Sequence, residues 1–134
     1  MHKKQMKDDL SYRVIGCALE VYKTLGPGLL ESVYEKALVI ELTNKGIKAE
    51  RQVPLNIFYK GVELGEGLRI DVLVEDSLVV ELKSVDTLNK VHYKQLLTYL
   101  KITNKRVGLL INFNENNLMD GIKRIVNNYP SNDY

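Results

Sequence analysis

Apolar residues recur at helical spacing from Asp9 to Leu25, at Leu10, Val14, Ala18, Val21 or Tyr22, and Leu25, which predicts an amphipathic helix. Gly26-Pro27-Gly28 ends it, because glycine and proline together break a helix and permit a sharp turn. A second helix is predicted from Leu29 to Asn44, stopping at Lys45-Gly46. It is apolar nearly all round, with Val33, Ala37 and Ile40 on one side and Leu38 and Leu42 on the other. That is the pattern of a helix held between another helix and a sheet. From Ile47 the period shortens: Val53, Leu55, Ile57 and Tyr59 alternate with polar positions, and Pro54 marks an edge or a bulge. Lys60-Gly61 turns the chain, Val62-Glu63-Leu64 returns briefly, and Gly65-Glu66-Gly67 loosens it.

The stretch Leu68 to Val85 predicts two strands joined by a tight turn at Glu75-Asp76-Ser77. Val72, Leu73, Val74, Leu78, Val79, Val80 and Leu82 make both strands too apolar for a clean in/out alternation, so they read as central strands covered on both faces. A third helix follows from Leu88 to Ile102, then a strand from Val107 to Asn112 and a final helix from Asn116 to Asn127, with residues 1–8 and 128–134 as frayed tails. The order is helix, helix, three strands, helix, strand, helix. A helical crossover between strands implies a mixed sheet with helices on its faces, an α/β (α+β) domain. With 134 residues the chain is expected to form a single domain, residues 1–134, around one core.

Composition narrows the class without choosing a function. A hydrophobic share of 45% and a charged share of 27% are those of an ordinary soluble globular protein, and the net charge of +2 neither requires nor excludes a nucleic-acid partner. Cys17 is the single cysteine, so no internal disulfide forms and a reducing, cytoplasmic setting is expected. Its place on a predicted helix, without an acid–base partner, points to a structural role. The basic N-terminus lacks the apolar run of a signal peptide, and no apolar segment approaches the ~20 residues needed to span a bilayer. No membrane association is expected.

Three charges stand inside the central strands: Asp71 in the first, Glu81 and Lys83 in the second. Glu81 and Lys83 share a face, because strand side chains alternate. Two carboxylates and a lysine at this spacing suit a hard divalent cation such as Mg²⁺ with its waters and a substrate phosphate, the lysine orienting water or stabilising phosphate charge. Glu31 and Glu35 lie one turn apart at the start of the second helix, in line with Leu38 and Leu42. Burying them needs a partner, although acidic residues also simply favour a first helical turn. On the third helix, Lys90, Lys94, Lys101 and, if the helix reaches it, Lys105 form a basic stripe, while His92, Gln95 and Tyr99 line the other edge of the apolar side. Such a stripe suits phosphates and equally a plain solvated face. No second histidine outside the N-terminal tail completes a zinc site, and no GxxxxGK[ST], GxGxxG or Ser/His/Asp arrangement occurs.

Gly28-Leu29-Leu30-Glu31-Ser32-Val33-Tyr34 matches G-x-x-E-x-x-Y, and Asp71, Glu81-x-Lys83 and Gln95-x-x-x-Tyr99 follow in order. Together they resemble the GxxExxY family of the PD-(D/E)XK nuclease superfamily, over nearly the whole chain from Leu10 to Val126. The resemblance implies a restriction-endonuclease-like α-β-β-β-α-β core with a mixed central sheet of four to five strands flanked by helices. It implies Asp71 and Glu81 as metal ligands, with the Leu82 carbonyl and Glu31 or Glu35 beside them, Mg²⁺ or Mn²⁺ as cofactor, and Lys83 as catalytic lysine. Gln95, Tyr99 and Tyr34 would support the site or touch substrate. Ile70 stands where the superfamily's namesake proline would be. The expected function is metal-dependent hydrolysis of phosphodiester bonds in nucleic acid, DNA foremost, with a homodimer as an open option. The alternative is a non-catalytic nucleic-acid- or protein-binding module on the same scaffold.

Overall fold

Helix α1 runs from His2 to Leu25 in the computed structural model, which describes residues 2–65 and 67–128 and side chains from Leu10 onward. It begins well before Asp9 because no glycine or proline interrupts the polar N-terminal stretch. Val14, Cys17, Ala18 and Val21 make its buried stripe. The turn after it uses Gly26 and Gly28 at φ of +69° and +101°, backbone shapes that side chains resist.

Helix α2, Glu31–Asn44, buries Tyr34, Glu35, Leu38 and Leu42. It lies between α1 and the sheet, as its all-round apolar pattern predicts. The covering is incomplete, however: Val33 and Ile40 remain 39% and 59% exposed, and of that side only Ala37 packs against the core.

Strands β1 (Ala49–Pro54), β4 (Arg69–Val74), β5 (Leu78–Lys83), β6 (Val107–Asn112) and β7 (Ile122–Val126) form a mixed five-stranded sheet in the order β1-β4-β5-β6-β7. Strands β2 (Phe58–Tyr59) and β3 (Val62–Glu63) pair separately as a small exposed hairpin inserted before β4. Only β5 and β6 run parallel, and helix α3, Lys90–Thr103, supplies the crossover that a parallel pair needs. The α1/α2 layer covers one face, over Val72, Val74, Leu78, Val80, Leu82, Leu109 and Ile111. Helix α3 covers the other with Leu96, Tyr99 and Leu100 over Leu73, Val79 and Leu110. The β4 and β5 strands are thus central and buried on both faces, and their turn places Glu75 and Asp76 at φ of +52° and +54°, which matches the twist of a tight hairpin.

Two expectations are corrected. Asn104 adopts a left-handed conformation and closes α3, so Lys105 leaves the basic stripe, which keeps Lys90, Lys94 and Lys101. The final helix expected over Asn116–Asn127 is instead a 3₁₀ turn, Leu118–Gly121, followed by β7. Ile122, Ile125 and Val126 fit a helical period as well as a strand. The open edge of β6 decides between them, since β7 satisfies the backbone groups of that edge by antiparallel pairing. The tail from residue 129 lies outside the described residues. No helix among the described residues is long and apolar enough to cross a membrane.

Gly121 makes the return to β7 possible. A Cβ there would come within 2.5 Å of the Glu115 Cγ and 2.7 Å of the Asn112 main-chain oxygen. The first can swing away but the second cannot, so Gly121→Ala is expected to destabilise the fold by about 1–3 kcal/mol. Denaturant unfolding checks this; an unchanged midpoint would show that the backbone here yields.

Candidate active site

The pairing between β4 and β5 stops at one row. Val74↔Leu78, Leu73↔Val79 and Val72↔Val80 pair in register, and beyond them main-chain pairing gives way to side chains. The Asp71 amide donates to Glu81 Oε1 at 3.3 Å, and the Leu82 amide donates to Asp71 Oδ2 at 2.9 Å. Each carboxylate therefore takes over an N–H that the ladder leaves unserved. Face alternation also breaks there, since Ile70 packs in the α3-side core while Val72, two positions on, packs under α2. Asp71 and Glu81 stand together where the two strands part, with Lys83 half-buried at the end of β5.

Two buried carboxylates side by side resist ionising together. Burial is the largest cause holding the Asp71 carboxyl up, to about 6; the Leu82 amide and the Lys83 charge oppose it, and the charges of Glu35 and Glu31 add to it. Glu81 is pushed up to about 8, by burial first and the Asp71 charge second. Tyr99 from α3 is raised as well, by burial and then by Glu81. The charges of Glu31 and Glu35 on α2 thus act on this pair, and the Glu81 charge acts on Tyr99 of α3.

The glycine, glutamate and tyrosine of Gly28…Glu31…Tyr34 act as one clamp. Tyr34 is fully buried, stacked on Phe113 with ring centroids 4.3 Å apart. Its hydroxyl donates to the Gly26 carbonyl at 2.6 Å and accepts from the Leu29 amide at 3.1 Å, which locks the glycine turn. Its contribution is therefore support, with no surface left for substrate. Glu31, in the first turn of α2, accepts from the Ser84 amide at 3.2 Å, and the Ser84 hydroxyl donates to the Leu29 carbonyl at 2.8 Å. The motif thus ties the start of α2 to the end of β5, directly after Lys83.

Glu35 is differently employed. It is 4% exposed and accepts from Arg51 Nη2 at 3.1 Å and from the Gln52 amide on both oxygens, at 3.0 and 3.2 Å. On α3, Gln95 donates to the Tyr99 hydroxyl at 3.2 Å. His92 Nδ1 accepts from the Asn89 amide at 3.1 Å and so serves the helix cap.

Sequence reasoning missed Arg51, Gln52, Ser84 and Asn112. Asn112 is fully buried; its side-chain oxygen accepts from the Val85 and Asn114 amides, and its NH₂ donates to the Val85 carbonyl. It fixes the exit of β5 against β6. An asparagine closing the apolar run Val107–Ile111 was the available signal, because a buried amide there must bond to backbone.

Among the described residues, no three or more His, Cys, Asp or Glu side chains gather as a ready ion cage. The donors at the opening are two adjacent buried carboxylates, hard oxygen ligands whose mutual repulsion a cation would relieve. This fits an ion such as Mg²⁺, which keeps several of its waters and takes one or two carboxylates.

A mixed sheet flanked by helices, with paired acids where its central antiparallel strands part, defines a restriction-endonuclease-like protein. The chain belongs to the PD-(D/E)XK nuclease superfamily, whose family model matches residues 8–125. Neither the curated proteins nor the solved structures include a match to it. The membership supports a nuclease, a phosphodiesterase acting on nucleic acid, in a superfamily that typically uses divalent metals.

Proposed function

We propose that the protein is a nuclease of the GxxExxY type that hydrolyses phosphodiester bonds in DNA or RNA with Mg²⁺ or Mn²⁺. The observation that carries this reading is the parting of β4 and β5 around two buried carboxylates, Asp71 and Glu81, with Lys83 next along β5. Asp71, Glu81, the Leu82 carbonyl and Glu31 are the groups assigned to the ion. Glu31 is preferred over Glu35 because Glu35 already spends both oxygens on Arg51 and Gln52. When bound, the ion lowers the pKa of an attacking water and polarises the scissile phosphate. Lys83 orients that water or neutralises charge developing on the phosphate. Gln95 and Tyr99 hold the α3 wall of the site.

Asp71→Asn is the test. Calorimetry should show Mn²⁺ binding in the wild type and at least tenfold weaker binding in the variant, with nucleic-acid cleavage lost in parallel. Cleavage that persists in chelator overturns the reading. Salt-sensitive nucleic-acid binding without metal-dependent cleavage would turn it into that of a binding module.

A further inference from the structure

Gln52 sits inside β1 with φ of +54°, a left-handed conformation that a residue with a side chain adopts only under strain. No glycine stands at this position, and the bulge signal of Pro54 lies two residues further on. The place of Gln52 in the sheet explains the conformation. Arg51 pairs with Val72 and Val53 with Ile70, which sets Gln52 directly across from Asp71, and that position of the ladder is left unpaired. The row Gln52–Asp71–Glu81 is therefore irregular on the β1 and β4 side of the sheet. Gln52 is left-handed in β1, alternation breaks at Asp71 in β4, and β4–β5 pairing ends before Glu81, which stays paired with Leu110 of β6. Irregular strand positions next to active sites commonly serve to re-aim a side chain.

A strained residue persists only when its surroundings hold it. Here the Gln52 side chain is anchored twice on buried Glu35, and its carbonyl accepts from Arg69 Nη1 at 3.2 Å. Arg51 holds the same carboxylate from the adjacent position, and its Nε is buried without a hydrogen-bond partner among the described residues. The Glu35 carboxylate, paired with Arg51, thus works as a peg on α2 that grips β1.

We propose that Gln52 is a positioning residue: gripped by Glu35, it holds the kink in β1 that sets the Asp71 carboxylate against β5. This rests on Asp71 and Glu81 being the ion's ligands. It gives Glu35 a task other than ligation, and it makes Glu35, Arg51 and Gln52 the outer support of the site.

The experiment compares wild type, Gln52→Ala and Gln52→Gly by Mn²⁺ calorimetry, circular dichroism and the kcat and KM of Mn²⁺-dependent cleavage. Alanine loses the anchor and resists the left-handed conformation, so Mn²⁺ affinity is expected to fall about 10- to 100-fold, with kcat falling and KM nearly unchanged. Glycine accepts the kink without strain and is expected to recover most of the affinity although it also lacks the amide. Gln52→Ala binding Mn²⁺ like the wild type, with a lowered melting temperature alone, overturns the proposal. Equal loss in both variants also overturns it, since it makes the amide matter and the kink irrelevant. If Gln52→Ala fails to fold, Gln52→Gly decides: wild-type-like affinity supports the kink, and a tenfold loss refutes it. Absence of Mn²⁺ binding in the wild type overturns the ligand assignment itself, and this proposal with it.

Discussion

Replacing Lys83 by alanine is expected to lower metal-dependent phosphodiester cleavage about a hundred- to a thousandfold, the usual cost of removing one group that stabilises transition-state charge. The fold should survive, because the main chain at Lys83 is secured independently of its side chain. Lys83 pairs with Asn112 in the parallel ladder, and its carbonyl accepts from the Phe113 amide at 2.9 Å. The side chain is half-buried at the strand end and acts on the charge of both carboxylates, favouring their ionised forms. Losing that charge should move the proton affinities of Asp71 and Glu81 further up. The residual activity of Lys83→Ala should therefore need a higher pH than the wild type, and Mn²⁺ affinity near neutral pH should weaken modestly. Rates measured from about pH 6 to 9 at saturating Mn²⁺ check both points. Cleavage by the variant at the wild-type rate would remove Lys83 from the mechanism.

The paired carboxylates should also make stability depend on pH and on metal in opposite senses. Asp71 rises from 3.8 to about 6 and Glu81 from 4.5 to about 8 on folding. The folded protein consequently binds these protons more tightly than the unfolded chain. Below both unfolded values the two states hold the protons equally and the pair has no effect. As pH rises the unfolded chain ionises first, so stability falls through the interval up to about 8, where the full penalty is reached. Metal-free protein should therefore lose melting temperature between pH 5 and pH 8. Glu81→Gln should flatten this slope and stabilise the metal-free protein at the alkaline end, because a neutral amide carries no ionisation penalty there. A divalent ion that binds the ionised pair should reverse the trend and stabilise most where the metal-free protein is weakest. A thermal-shift series over pH, with chelator and with Mn²⁺, reads both effects. A slope in chelator that is the same for wild type and Glu81→Gln would show that this pair does not set the pH dependence.

Much of the architecture was legible because it rests on local patterns. The tight turn at Glu75-Asp76-Ser77, the strand Val107–Asn112 and the end of α2 at Asn44 all fall where period and turn chemistry place them. The charges Asp71, Glu81 and Lys83 stood out because central strands seldom carry charge without a reason. What misled was ambiguity of period: Ile122, Ile125 and Val126 suit a helix until the free edge of β6 is known. Val33 and Ile40 looked like a covered side of α2 because apolar residues do not announce whether anything lies over them.

The chain's own pattern determined the helix–strand order, the two-sided burial of β4 and β5, and the residue types of the site. These follow from spacing and composition, which are properties of neighbours in sequence. Only the tertiary structure decided how the glutamates divide their work, since Glu31 meets Ser84 and Glu35 meets Arg51 and Gln52 across long stretches of chain. It alone also parted β4 from β5 at Asp71 and put a strained Gln52 opposite. A carboxylate's role depends on what it is buried with, and sequence spacing carries no record of that.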